Sequence, residues 1–153
     1  MKLIVAVNKH GFIGKEGKMM WRSSEDFRHF KKMTSGPFGN LLIVGKTTYE
    51  NDLKGKGLAG RKCIVVGTGY NTLFEAIEKA TFESRLIPGT ENSYGNQIRD
   101  IWIIGGSSIY QQLLPLANEI HMSIINNEDE GDTRFEIPSN YRGKVFKYEF
   151  NCE

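Results

Sequence analysis

Four near-continuous apolar runs, Leu3–Val7, Leu41–Val44, Cys63–Val66 and Ile101–Ile104, constrain this chain most. An uninterrupted run of β-branched and aliphatic residues suits a strand covered on both faces, and such strands are the rule in parallel sheets. Each run ends at Asn or Gly, and the later three lead into helical segments, so strands and helices alternate. That alternation predicts an α/β protein of three layers, a central mixed but mostly parallel sheet with flanking helices. Ligands in such sheets bind beyond the carboxyl ends of the strands. Here those ends are Val7-Asn8, Gly45, Gly67 and Gly105-Gly106.

Three of the ends carry chemistry of their own. Gly45-Lys46-Thr47-Thr48 opens a short helix, where free N–H groups and a cation suit phosphate; an ordinary strand-to-helix turn fits the same residues. Gly67-Thr68-Gly69 is a lone Gly-x-Gly, and Thr72 with Glu75 forms a capping box for the next helix. Gly105-Gly106-Ser107-Ser108 makes the better anion candidate, because two glycines let a ligand approach the backbone closely. From Asn8 to Met20 the chain is a loop with Gly11, Gly14 and Gly17 and few anchors, readable as a lid or as a mobile surface connection.

After that loop, Met19–Phe27 enters a helix expected from Ser24 to about Thr34. Ser23 is a good N-cap, and Asp26 stands where the acidic member of a capping box belongs. Phe27, Phe30 and Met33 share one face, and Asp26 lies at its edge, so the carboxylate is placed either to cap or to border an apolar pocket. Later, Glu119–Ile125 reads as a strand and Asn126–Thr133 as an acidic turn. Lys144–Phe150 alternates aromatic and polar residues, the pattern of a half-exposed, antiparallel strand. Between Phe82 and Asp100, Pro88-Gly89 and Gly95 imply a long excursion to which no chemistry is assigned.

Composition removes several function classes. With 153 residues the chain is expected to be one domain that buries roughly 70 per cent of its unfolded surface without a metal or disulfide. A formal charge of +2, with Lys31-Lys32 as its densest basic run, gives no nucleic-acid footprint. The Leu3–Val7 run is too short for a membrane span or a signal core, and Cys63 and Cys152 lack staple spacing, which suits a reducing cytoplasm. His10, His29 and His121 share no ligand spacing and are assigned to surface or packing roles.

Taken together, Ile4–Asn8, Ile13-Gly14, Met19-x-Trp21 with Asp26-Phe27 and Phe30, Gly45 with Thr48, Gly60-Arg61-Lys62, Ile104-Gly105-Gly106 with Tyr110, and Glu130–Thr133 resemble dihydrofolate reductase in order and approximate spacing. The agreement runs to about Phe135, with a gap between Gly67 and Asp100. The resemblance implies hydride transfer from NADPH to C6 of dihydrofolate as N5 gains a proton. It places Asp26, Trp21 and Ser123 in the catalytic group, with Asp26 binding the pterin N3 and 2-amino group. Ile4, Val5, Ala6, Phe27, Phe30, Ile104 and Tyr110 would line the substrate site, and Arg61 would hold the α-carboxylate of the glutamate tail. Ala6, Ile13, Gly14 and Met19 would surround the nicotinamide, with Ile104, Ile109 and Tyr110 nearby. Gly45, Lys46, Thr47, Thr48, Gly67, Thr68 and the Gly105, Gly106, Ser107, Ser108 helix start would meet the rest of the cofactor, with a cis bond between the two glycines.

Departures from the family pattern are also expectations. Met20 stands where the family has Pro, which implies a looser lid. Single hydroxyls at Gly67-Thr68 and the Ser107-Ser108 pair leave NADPH over NADH less specified than NADPH binding itself. The family's last strand has no counterpart after Phe150, which predicts an exposed sheet edge in a monomer, with edge association as the alternative. Two other readings compete: a flavin-synthesis type reductase on this fold, against which the Trp21 to Asp26 spacing and Arg61 argue, and a non-catalytic binding or assembly protein.

Overall fold

A computed structural model describes residues 1–86 and 95–153, so the expected excursion at Pro88-Gly89 lies outside the described residues. The strands are β1 (Lys2–Asn8), β2 (Phe12–Gly14), β3 (Leu41–Gly45), β4 (Lys62–Val66), β5 (Ile101–Ile103), β6 (Glu119–Asn126), β7 (Thr133–Arg134) and β8 (Lys144–Asn151). The helices are α1 (Ser24–Thr34), α2 (Lys46–Asn51), α3 (Leu73–Glu83) and α4 (Ser107–Leu113), the last continuing into a 3-10 turn over Leu114–Leu116 at Pro115. Six strands make one sheet in the order β4-β3-β5-β1-β6-β8, and β2 pairs with β7 in a small ribbon.

Burial explains why the apolar runs became central strands. Leu41 to Val44 are fully buried, and alternate residues of each strand serve opposite faces. Leu3, Val5, Leu41, Ile43, Ile103 and Ile120 share one cluster with Ala76 and Ala80 of α3 and Leu113 of α4. Ile4, Leu42 and Trp102 point the other way, onto Phe30 and Met33 of α1. The sheet is thereby sandwiched between α1 on one face and α3 and α4 on the other. Among the described residues no helix is long and apolar enough to cross a membrane.

The last strand departs from expectation. β8 runs parallel to β6, from Glu119↔Lys144 to Asn126↔Asn151, and is not antiparallel. Alternating aromatics report one-sided burial, not direction. Direction is set by the 127–143 crossover, long enough to return the chain to the start of β6. Tyr141 Oη donates to the Ala117 carbonyl at 2.8 Å, and Lys144 N–H to that of Asn118 at 3.1 Å, which fixes that return. β8 lies at the sheet edge, with Val145 and Phe146 exposed.

The glycine-rich loop is better anchored than its composition implies. Asn8, buried at the end of β1, accepts at Oδ1 from the N–H groups of His10 and Phe12, both at 3.0 Å. Asp132 N–H donates to the Gly14 carbonyl at 3.1 Å, and Glu16 N–H to the Asp132 carboxylate at 2.8 Å. Residues 131–135 therefore back the loop along much of its length.

Candidate active site

Asp26 sits in the first turn of α1. Its N–H donates to Ser23 Oγ at 3.2 Å, half of a capping box; the complete box belongs to Thr72 and Glu75. The residue is buried, 7% exposed, and the Ser123 hydroxyl of β6 is the group that favours its charged form most. Burial pushes its pKa above the ordinary carboxylate value, while the Ser123 bond and nearby His29 partly oppose that rise. A buried acid with one hydroxyl partner keeps lone pairs for a ligand with parallel N–H donors.

The surrounding side chains come from both sides of β1. Ser123 lies opposite Ala6 in the β1/β6 register and opposite Tyr148 in β8. Phe27, next to Asp26, is 45% exposed, an apolar ring open to a ligand, while Phe30 packs beneath with Ile4 and Ile104. Val5 faces the opposite core. Trp21 is buried, and its indole Nε1 has no hydrogen-bond partner among the described residues. An orphan donor of this kind costs free energy unless a ligand or water takes it.

Tyr110 has a different task from acid chemistry. Its hydroxyl donates to the Ile4 carbonyl at 2.8 Å and shares the Ile104 carbonyl at 3.1 Å, tying α4 to the body of β1 and the end of β5. Full burial, with the Asp26 charge nearby, holds its pKa far above the usual phenol value. Tyr110→Phe is expected to cost about 1–3 kcal/mol in denaturant unfolding, since two buried carbonyls lose their donor.

At the opposite end of α1, Arg61 donates to Thr34 Oγ1 at 2.9 Å and to the Ala59 carbonyl at 3.1 Å. Its guanidinium lies 5.9 Å from the Phe30 ring centroid. The remaining donors of the fork are placed for a carboxylate. Thr34 was not legible as part of this site: a threonine closing a helix carries no signal that its hydroxyl will hold a distant arginine.

A second group of residues meets at the ends of β3, β4 and β5. Gly45 N–H donates to the Gly105 carbonyl at 2.8 Å, and the Gly105-Gly106 bond is cis. A Cβ on Gly106 would lie 3.0 Å from Thr48 Oγ1, and one on Gly45 3.1 Å from Ile109. The stem of Lys46 packs against Gly67, where an added Cβ would meet Lys46 Cβ at 2.7 Å. Helices α2 and α4 start at Gly45 and Gly106 with no side-chain cap, so their first amides remain available to an anion. Thr47, Thr68 and Ser108 are exposed on this rim; the Ser108 hydroxyl accepts from Gln112 at 2.8 Å. Ser107 is half-buried at the start of α4.

Ile13 and Gly14 occupy β2, and Met19 lies 50% exposed on the segment that leads to Trp21. Uncapped amides, a floor without Cβ atoms and the unpaired Trp21 Nε1 fit an extended, phosphate-bearing ligand along β3, β5 and β1. His121 is held by Tyr148 Oη and the Glu119 carboxylate, both at 2.9 Å, and stacks on Phe146 at 4.6 Å, a packing role.

Comparison with known proteins places names beside this geometry. A sequence profile described as Dihydrofolate reductase matches residues 1–150. The chain is 32% identical over 135 residues to a dihydrofolate reductase of Bacillus subtilis, covering 88% of this chain and 74% of that one. It is 30% identical over 159 residues to dihydrofolate reductase type 1 of Escherichia coli, covering 98% and 90%. Among solved structures, a dihydrofolate reductase from Enterococcus faecalis complexed with NADP(H) superposes with a TM-score of 0.66 at 26% identity, over 90% of this chain and 77% of that one.

Proposed function

The chain belongs to the dihydrofolate reductase family, and from that premise we propose that Asp26 is the group on which substrate recognition and protonation turn. The protein reduces 7,8-dihydrofolate to tetrahydrofolate with NADPH, the reaction that serves one-carbon metabolism. When bound, NADPH supplies the hydride delivered to C6. Everything else falls to the protein: to bind, orient, exclude water and hold a charge.

The observation that carries the reading is the buried Asp26 carboxylate beside Ser123, with an exposed phenyl ring next to it. Its two oxygens accept from N3 and the 2-amino group of the pterin, and its negative charge favours the proton that N5 must gain. Trp21, on the segment that leads into α1, offers its unpaired Nε1 to the ligand, and Ser123 supports the carboxylate. Ile4, Ala6, Phe27 and Ile104 enclose the pterin, and Phe30 lies under the benzoyl ring. Ala6, Ile13, Gly14 and Met19 take the nicotinamide end of the cofactor, and Lys46, Thr47, Thr48, Thr68 and the start of α4 take its phosphates. The same reading makes the protein a cytoplasmic monomer, in keeping with two free cysteines. NADPH oxidation that depends on dihydrofolate, at neutral pH with the purified chain, tests the activity; no turnover by folded, NADPH-binding protein would overturn it.

Arg61 supplies a separable prediction. Arg61→Gln is expected to raise KM for dihydrofolate roughly 10- to 100-fold, the scale of a bidentate charged contact, with KM for NADPH unchanged. A pterin substrate lacking the glutamate tail should show no such difference between wild type and variant. Equal losses on both substrates would remove Arg61 from tail binding.

A further inference from the structure

Residues 151–153, at the end of β8, are stitched to the turn that starts α1. Ser23, buried at the helix N-cap, accepts the Asp26 N–H at 3.2 Å and donates its own hydroxyl hydrogen to the Asn151 carbonyl at 2.7 Å. Asn151 N–H donates to the Glu25 carboxylate at 3.3 Å, and Glu153 N–H to the Arg22 carbonyl at 2.7 Å. The Glu153 carboxylate accepts from the Ser24 N–H at 3.3 Å and from the Ser24 hydroxyl, and lies 3.4 Å from Arg22 Nε. Contacts to four successive residues, Arg22 to Glu25, come from two residues, Asn151 and Glu153, that are 126 or more positions away in sequence.

We propose that residues 151–153 form a clamp that keeps the Asp26 carboxylate free for substrate, with Glu153 as a positioning residue for dihydrofolate binding; this rests on the reading of Asp26 above. The reason is competition at the helix start. The first-turn N–H groups of a helix attract the nearest carboxylate, and a residue three after the N-cap is the usual donor of one. Thr72 and Glu75 show that outcome in α3, where the glutamate turns back to the N-cap amide. In α1 the equivalent acid is Asp26, which is buried and for which only the Ser23 half of the box is formed. One carboxylate from elsewhere serves the helix start instead: Glu153 takes the Ser24 N–H and hydroxyl, while the N-cap hydroxyl of Ser23 takes the Asp26 N–H, its orientation fixed by the Asn151 carbonyl. The contribution of Glu153 lies in that placement, because its ion pair with Arg22 is solvent-exposed and weak by itself.

The register of β8 makes the clamp. Pairing directly and in parallel with β6 puts Asn151 opposite Asn126 and Tyr148 opposite Ser123, so the strand that passes the Asp26 partner ends at the Asp26 helix. A shift of β8 by one residue would carry Glu153 away from Ser24 and turn its side chains to the other face.

Dissociation constants for dihydrofolate and for NADPH, read by quenching of tryptophan fluorescence, test the clamp in wild type, Glu153→Ala, Glu153→Gln, Asp26→Asn and the Glu153→Ala/Asp26→Asn double variant. Glu153→Ala is expected to weaken dihydrofolate binding by roughly three- to tenfold, the scale of one lost hydrogen bond to a charged group, with NADPH binding unchanged. Glu153→Gln, which keeps an acceptor for Ser24, recovers most of the loss. In the Asp26→Asn background, Glu153→Ala changes dihydrofolate binding by less than about twofold, because coupled residues are not additive. An equal loss in both backgrounds, an equal loss for both ligands, or no loss with Glu153→Ala overturns the clamp. Unchanged dihydrofolate binding in Asp26→Asn alone would instead overturn the role of Asp26, so the two failures read differently.

Discussion

Asp26→Asn is expected to lower kcat/KM for dihydrofolate at neutral pH by about 100- to 10,000-fold, the range for loss of a positioned acid–base group, and to raise thermal stability. Both effects come from the same burial. A carboxylate 7% exposed is poorly solvated when charged, which raises its pKa above the ordinary value of 3.8. A raised pKa means that the folded state holds the proton more tightly than the unfolded chain does. Stability from this group is thus fully present below pH 3.8 and is lost as pH rises through the folded value. At neutral pH the ionised form is a strain on the fold that asparagine does not carry, and the Ser123 hydroxyl can still donate to the amide oxygen. Thermal melts of the two proteins should differ most near pH 7 and converge toward pH 4, in a comparison without ligand. A variant as active as wild type, or one less stable at neutral pH and equally so in acid, contradicts this account.

Gly105→Ala is expected to cost about 2–4 kcal/mol of stability and to weaken NADPH binding at least tenfold, from strained backbone and a backbone shift forced by a buried ring. The backbone at Gly105 has φ +115°, a region that residues with a Cβ rarely enter. An added Cβ would lie 3.1 Å from Tyr110 Oη and 3.2 Å from Cζ. That ring cannot yield, because its hydroxyl is tied to Ile4 and Ile104 and its edge meets Phe135 at 5.3 Å. The Gly105 carbonyl must therefore move, and with it the bond from Gly45 N–H that joins the two halves of the proposed phosphate site. Gly69 is the useful contrast: its φ is +86°, but a Cβ there would meet nothing within 4 Å, so Gly69→Ala should pay for strain alone. Urea unfolding and NADPH titration of the two variants separate these costs. Equal losses at both positions would remove the Tyr110 argument.

The parallel sheet was legible because Leu3–Val7, Leu41–Val44, Cys63–Val66 and Ile101–Ile104 leave no polar face, and two helices because Ser23 and Thr72 mark their starts. The direction of β8 was not legible, since alternation at Phe146, Tyr148 and Phe150 describes which side is covered and carries nothing about the crossover that precedes it. The β2/β7 ribbon was missed for a related reason. Three residues with a bulge at Phe12–Gly14 are held by Asn8 and by residues 131–135, contacts that no local pattern encodes. At the site, Asp26 stood out by its position beside Phe27 and Phe30, yet cap and ligand roles look alike in sequence. The choice between them depends on Ser123, Asn151 and Glu153, which reach Ser23–Asp26 only through the register of the sheet.

The most direct test of the central claim is the pH dependence of single-turnover hydride transfer from NADPH to dihydrofolate, followed for wild type and Asp26→Asn on preformed ternary complexes. Wild type should hold its rate to higher pH before the N5 proton becomes limiting, and the variant, without the carboxylate charge, should show a much lower rate that starts to fall at lower pH. Profiles of the same shape and height in the two proteins would contradict the assignment of Asp26.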